Sequence, residues 1–161
     1  MSETRTETRT ETKAERIVRS VEIAAPVARV WRALTDHQEF GTWFRATIAA
    51  PFAVGETSRG QMTYPGWEHV AWEARIVAME PERRFVFLWP HTEDAGPSVP
   101  GDPVTRVEFV LEPVAGGTRL TVTESGFEAL PEGRRAKALR ENTEGWELQT
   151  ENLRAHVVAH P

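Results

Sequence analysis

Glu124 and Glu68 are the residues of this chain best placed for chemistry. Glu124 ends a run in which Leu120 and Val122 stand at alternate positions, and Glu68 shares parity with Val70 and Trp72. Alternate residues of a strand lie on one face, so both carboxylates are expected on the apolar side of a sheet. A carboxyl group against apolar walls has its pKa raised and serves as a general acid or base. Both also fall at strand ends, where a carboxylate reaches water, caps a turn or pairs with arginine.

The histidines offer less. His37, His69, His91, His156 and His160 show no metal spacing such as His-Glu-x-x-His. His37 and His91 fall in turns or loops, and His69 points to the opposite strand face from Glu68. A surface or internally satisfied histidine is the expectation for each. No Gly-x-Ser-x-Gly elbow, Walker loop or dinucleotide fingerprint occurs. With no cysteine, disulfides, thiolate metal sites and cysteine nucleophiles are excluded. Neither a metal nor a cofactor is expected.

These side chains need elements to hold them. Ile17, Val21 and Ile23 stand at alternate positions in a half-buried strand that stops at Ala24-Ala25-Pro26. Pro26 suits the first turn of a helix whose Val27, Val30, Trp31 and Leu34 share a face. Thr35 or Asp36 then caps a second short helix carrying Phe40, Gly41 and Trp43. From Ala46 to Ser125 the pattern is antiparallel strands, clearest over 68–79, 84–89, 105–112 and 118–124, with tight turns between neighbours. Parity puts Trp72, Phe87, Trp89 and Phe109 on one face, and Glu73, Arg75, Arg106 and Arg119 on the other. The apolar face needs a cover. A helix over about 132–158 supplies it, with Leu139, Trp146, Leu153 and Val157 as its stripe. Asn142, Thr143, Gln149 and Thr150 interrupt that stripe, and Gly145 points to close approach of another element.

Length and charge narrow the classes. A chain of 161 residues suits one domain with a core large enough to fold without staples. A net charge of -5 argues against nucleic-acid or anionic-membrane partners, and no apolar run is long enough for stable membrane insertion. Cytoplasmic residence is expected, as monomer or homodimer. Residues 1–15 repeat Thr-Glu-Thr-Arg and hold almost no apolar side chain, so they are expected to be a disordered tail before a domain spanning 16–160. The Pro- and Gly-rich stretch 90–103 reads as a lid or a disordered loop.

In order, Ala25-Pro26, Val30-Trp31, Leu34-Thr35-Asp36, Trp43, Phe87-Leu88-Trp89, Gly117-Thr118-Arg119-Leu120, Ser125-Gly126-Phe127 and Gly145-Trp146 resemble the SRPBCC (START/Bet v 1-like) superfamily. Within it, the match is to the branch named for the activator of the heat-shock-protein-90 ATPase, over roughly residues 16–158. The resemblance implies an α+β helix-grip fold: strand, two short helices, six strands and a long helix, the curved antiparallel sheet gripping that helix around a mostly apolar cavity. Two positions depart from the branch pattern. Glu124 stands where many members carry histidine, and Thr150 where leucine is usual; both add polarity indoors. The glycine-rich loop of the plant allergen branch is absent at Val54-Gly55-Glu56.

Three function classes follow. The first is binding of an apolar or amphipathic small molecule, lipid-like or polycyclic, with Trp43, Met62, Trp72, Phe87, Trp89, Phe109, Glu124, Trp146 and Thr150 as ligand-facing residues. Of the remaining aromatics, Trp31 is expected in the core, and Tyr64-Pro65-Gly66-Trp67 reads as a turn at the cavity mouth. The second class is a cyclase, aromatase or hydrolase with Glu124 or Glu68 as its catalytic carboxylate. The third is a co-chaperone stimulating a heat-shock chaperone's ATPase.

Overall fold

The computed structural model describes residues 9–13, 16–92 and 96–161. Its elements run β1 (Arg9–Lys13), β2 (Arg16–Ile23), α1 (Val27–Thr35), α2 (His37–Phe44), β3 (Ala46–Ile48), β4 (Thr57–Met62), β5 (Ala71–Glu80), β6 (Arg84–Pro90), β7 (Val104–Val114) and β8 (Gly117–Ser125), then a 3-10 turn (Phe127–Ala129) and α3 (Glu132–Ala159). From β2 onward this is the expected helix-grip order. The strands form one antiparallel sheet in the order β1-β2-β8-β7-β6-β5-β4-β3, curved against α3.

β1 was not expected. Arg9–Lys13 pairs antiparallel with β2, from Arg9 opposite Ser20 to Lys13 opposite Arg16. The expectation of a wholly unstructured 1–15 segment is corrected over these five residues. The apolar content of the segment is a poor guide here, because the backbone groups along the outer edge of β2 supply a pairing partner without any core. Residues 1–8 and 14–15 lie outside the described residues.

Local chemistry fixes the connecting helices. Pro26 precedes α1 with φ -64°, and the Asp36 carboxylate caps α2 by accepting from the backbone N–H groups of Gln38 and Glu39 at 2.9 and 3.1 Å. α2 packs so closely on β3 that a Cβ added to Gly41 would lie 2.3 Å from the Ala46 carbonyl oxygen. Gly145 is the opposite case. Nothing lies within 4 Å of its missing Cβ, so the close approach expected there does not occur.

Alternation along the strands holds with one shift. A bulge between Ile76 and Ala78 of β5 brings Met79 opposite Phe85 and keeps the inward face continuous. Phe85, Phe87 and Phe109 are buried on that face, and Phe40 of α2 joins the same core against Trp72 and Phe52. The rings of Phe85, Phe87 and Phe109 sit 5.7 to 6.1 Å apart in T-shaped, stacked and tilted pairs. Each buried ring removes about 150–250 Å² from water, on the order of 4–6 kcal/mol gross before ordering entropy is subtracted. α3 covers the face with Trp146, Thr150, Leu153 and Val157.

Candidate functional site

At the end of the sheet where β6 and β8 finish and β7 begins, register assembles a polar cluster inside the apolar face. Trp89 of β6 lies opposite Thr105 of β7, and Val107 of β7 lies opposite Glu124 of β8. Inward parity therefore brings the three together, Trp89 directly across from Thr105 and Thr105 diagonal to Glu124. α3 lays Asn142 and Trp146, one turn apart, over the same point, and the chain leaving β6 adds His91.

Glu124 is fully buried and is the centre of this cluster. Its Oε2 accepts from the Thr105 hydroxyl at 2.5 Å, the Trp89 indole N–H at 2.8 Å and His91 Nε2 at 3.3 Å. Its Oε1 accepts from the Trp146 indole N–H at 2.9 Å and from Asn142 Nδ2 at 3.0 Å, with Asn142 also 3.2 Å from Oε2. His91 Nε2 lies 2.8 Å from Thr105 Oγ1. Since the Thr105 proton is committed to the carboxylate, its oxygen accepts from the imidazole.

This environment reverses the expected pKa shift. Burial does push the Glu124 carboxyl upward, but hydrogen bonds from His91, Thr105, Trp89 and Trp146 outweigh it and hold the group below its ordinary value. Glu124 is an anion whose lone pairs are taken by protein donors. A general acid poised near neutrality is not what the donors produce.

Glu68 is nowhere near it. The segment before β5 is a turn, and the exposed Glu68 carboxylate accepts from the Gly66 backbone N–H at 2.9 Å. Its apparent parity with Trp72 fails because the strand begins only at Ala71. Its role is that of a turn cap.

A cavity of about 300 Å³ opens beside the cluster, bounded by Phe44, Met62, Trp72, Trp89, His91 and Asn142. Trp89 stacks on Trp146 with ring centroids 5.6 Å apart and meets Trp72 edge-on at 6.2 Å. Half-exposed Trp67 stands on its lining as well, as expected of the turn 64–67. Of the ligand-facing residues expected from sequence, Met62, Trp72 and Trp89 line this space. Glu124 and Trp146 lie behind its wall, while Phe87 and Phe109 fill the core where a deeper hollow was expected. Trp43 is buried with its indole N–H donated to the Ala33 carbonyl at 2.8 Å.

Thr150 meets a residue passed over in the sequence. Arg19 is buried on β2, and its Nε donates to Thr150 Oγ1 at 2.5 Å while the threonine donates to the Trp146 carbonyl at 2.7 Å. Arg19 shares parity with Ile17 and Val21, which is the signal that marks it as inward. His91 carried no such signal. Of the two expectations for it, surface or internally satisfied, it meets the second: its side chain is only 13 % exposed, and its Nε2 meets Thr105 and Glu124.

The residue order, the curved sheet and the gripped helix define a member of the SRPBCC superfamily with a small, aromatic-walled cavity at one end of the grip. More narrowly, residues 24–158 match the family model described as Activator of Hsp90 ATPase homolog 1-like protein, and the chain belongs to that family. No curated protein matches the chain. Among solved structures, a protein from Arthrobacter aurescens aligns with TM-score 0.80 at 21% identity, over 94% of this chain and 91% of its own. Protein MLL2253 from Mesorhizobium loti aligns with TM-score 0.73 at 23% identity, over 91% and 98%. DynU16, from the dynemicin biosynthetic locus, aligns with TM-score 0.70 at 24% identity over 89% of this chain and 47% of its own. At these identities the likeness is one of fold.

Proposed function

We propose that the protein binds a small aromatic or polycyclic amphipathic molecule in the cavity beside Trp89. The observation carrying this reading is the construction of the wall. Trp89 presents its ring to the cavity, and its N–H is tied to a buried carboxylate that also holds Trp146 behind it. A wall fixed in this way loses little further entropy when a flat ring stacks on it. At about 300 Å³ the space is at the small end of ligand sites, which favours a compact ring system over a long acyl chain.

The enzymatic alternative loses both of its carboxylates, since Glu124 is enclosed by donors and Glu68 is exposed in a turn. Stimulation of a chaperone ATPase rests on the family's description alone. The test is a titration of the 15N-labelled protein with 2-methoxynaphthalene, following the indole N–H signals. Saturable shifts at Trp72 and Trp89 are expected; unmoved indole signals at the solubility limit of the probe would overturn the reading.

A further inference from the structure

We infer that His91 gives the polar end of the cavity a hydrogen-bond acceptor that selects ligands carrying an O–H or N–H donor, with Glu124 as its positioning residue. This rests on the aromatic-ligand reading above and specifies the chemistry of that ligand. The reasoning is a count of protons. Glu124 draws in the N–H groups of Trp89 and Trp146, one of the two amide N–H groups of Asn142 and the hydroxyl of Thr105. Each of those donors is thereby spent inside the wall.

What is left over on His91 is of one kind. His91 Nε2 faces Thr105 Oγ1, whose proton is already committed, and Glu124 Oε2, which carries only lone pairs. That nitrogen must therefore hold the proton, and in the neutral ring the lone pair is on Nδ1. Asn142 directs one N–H between the two carboxylate oxygens, which leaves its carbonyl oxygen and its second N–H. Both residues line the cavity, and on His91 the nitrogen not engaged by Thr105 and Glu124 is the acceptor.

The imidazole is held in place on other sides as well. The His91 backbone N–H donates to the Pro103 carbonyl at 2.8 Å, its carbonyl accepts from Arg134 at 3.1 Å, and its ring stands edge-on to Phe127 at 5.8 Å. A ring fixed in position and tautomer discriminates by hydrogen bonding rather than adapting to its ligand. Charge adds to the selection. Among the described residues the cavity lining includes Glu73 and no lysine or arginine, and the anionic Glu124 lies directly behind it. A carboxylate ligand would meet acceptors and negative charge, whereas a phenolic or enolic hydroxyl, or an aromatic N–H, would find its partner.

Three probes of one ring system separate the possibilities: 2-naphthol, 2-methoxynaphthalene and 2-naphthoate, titrated by calorimetry at neutral pH. The expected order is 2-naphthol first, about tenfold tighter than 2-methoxynaphthalene, the difference one good hydrogen bond makes, with 2-naphthoate weakest. His91→Phe should reduce the naphthol preference to about twofold or less. A readout independent of variant folding is the histidine 15N spectrum of the unmodified protein, which should show His91 as the Nε2–H tautomer, with Nδ1 shifting on addition of 2-naphthol but not of 2-methoxynaphthalene. In Glu124→Gln, the tautomer signature should weaken. Equal affinity for naphthol and methoxynaphthalene, or an Nδ1–H tautomer, would overturn the inference and leave the aromatic reading standing. Failure of all three probes to bind would overturn both.

Discussion

Replacing Glu124 with glutamine keeps the shape of the side chain and removes its charge, which makes it the sharpest test of the buried cluster. Oε1 and Oε2 together accept from Trp89, His91, Thr105, Asn142 and Trp146. A glutamine NH₂ placed at the Oε1 position would face the Trp146 and Asn142 donors with hydrogens of its own. Each buried polar group left without a partner costs about 1–3 kcal/mol, and the bonds that survive drop from charge-assisted to neutral strength. The expected loss is on the order of 4 kcal/mol, a large share of the roughly 5–15 kcal/mol available to a domain. Urea unfolding should show a lower midpoint with an unchanged slope. The difference should also depend on pH. Because the folded-state pKa of Glu124 is depressed, its contribution is present above the ordinary carboxylate value of 4.5 and is lost as pH falls through the folded-state value. Wild type and variant should therefore converge in acid. A loss below about 1 kcal/mol at pH 7, or a gap that does not narrow in acid, would refute the account of Glu124 as a charged anchor.

Two glycines should answer alanine in opposite directions. Gly41→Ala drives a methyl group into the Ala46 carbonyl and should cost on the order of 1–3 kcal/mol, whereas Gly145→Ala meets open space within α3 and should stabilise by about 0.5–1 kcal/mol, both read by thermal or urea unfolding. A separate acid response is expected where α1, α2 and the end of α3 meet. Burial raises the Glu39 carboxyl, but hydrogen bonds from His156, Arg29 and Arg32 prevail and bring it down to about 2. The depressed value means stability is present above 4.5 and lost as pH falls towards 2. The carboxylate is 22 % exposed, and screening trims the effect to on the order of 2 kcal/mol, which should appear as a stability difference between wild type and Glu39→Gln that closes across that window.

How much could be read from the chain differs residue by residue. Alternation along β7 and β8 marks Thr105 and Glu124 as inward, and the polar interruption of the α3 stripe marks Asn142. Ala25-Pro26, Asp36 and the aromatic parity of β5 and β6 lead to the grip itself, because caps and period-two patterns act over a few residues. Glu68 misled because strand parity has meaning only inside a strand, and the turn at 64–70 breaks it before β5 begins. Arg9–Lys13 misled for a related reason: pairing at a sheet edge depends on a neighbouring backbone, not on the apolar content of the segment.

By itself the sequence determined the class of fold, the inward face and the presence of a carboxylate on it, since each follows from short-range periodicity and a few stop signals. Tertiary structure alone decided what that carboxylate is. Donors from β6, β7, α3 and the segment leaving β6 converge on Glu124 across up to 35 residues of chain, and their summed hydrogen bonds overturn the upward shift that burial would impose. His91 shows the same dependence: without periodicity it carries no orientation in the sequence, and it gains one from the groups that surround it in space.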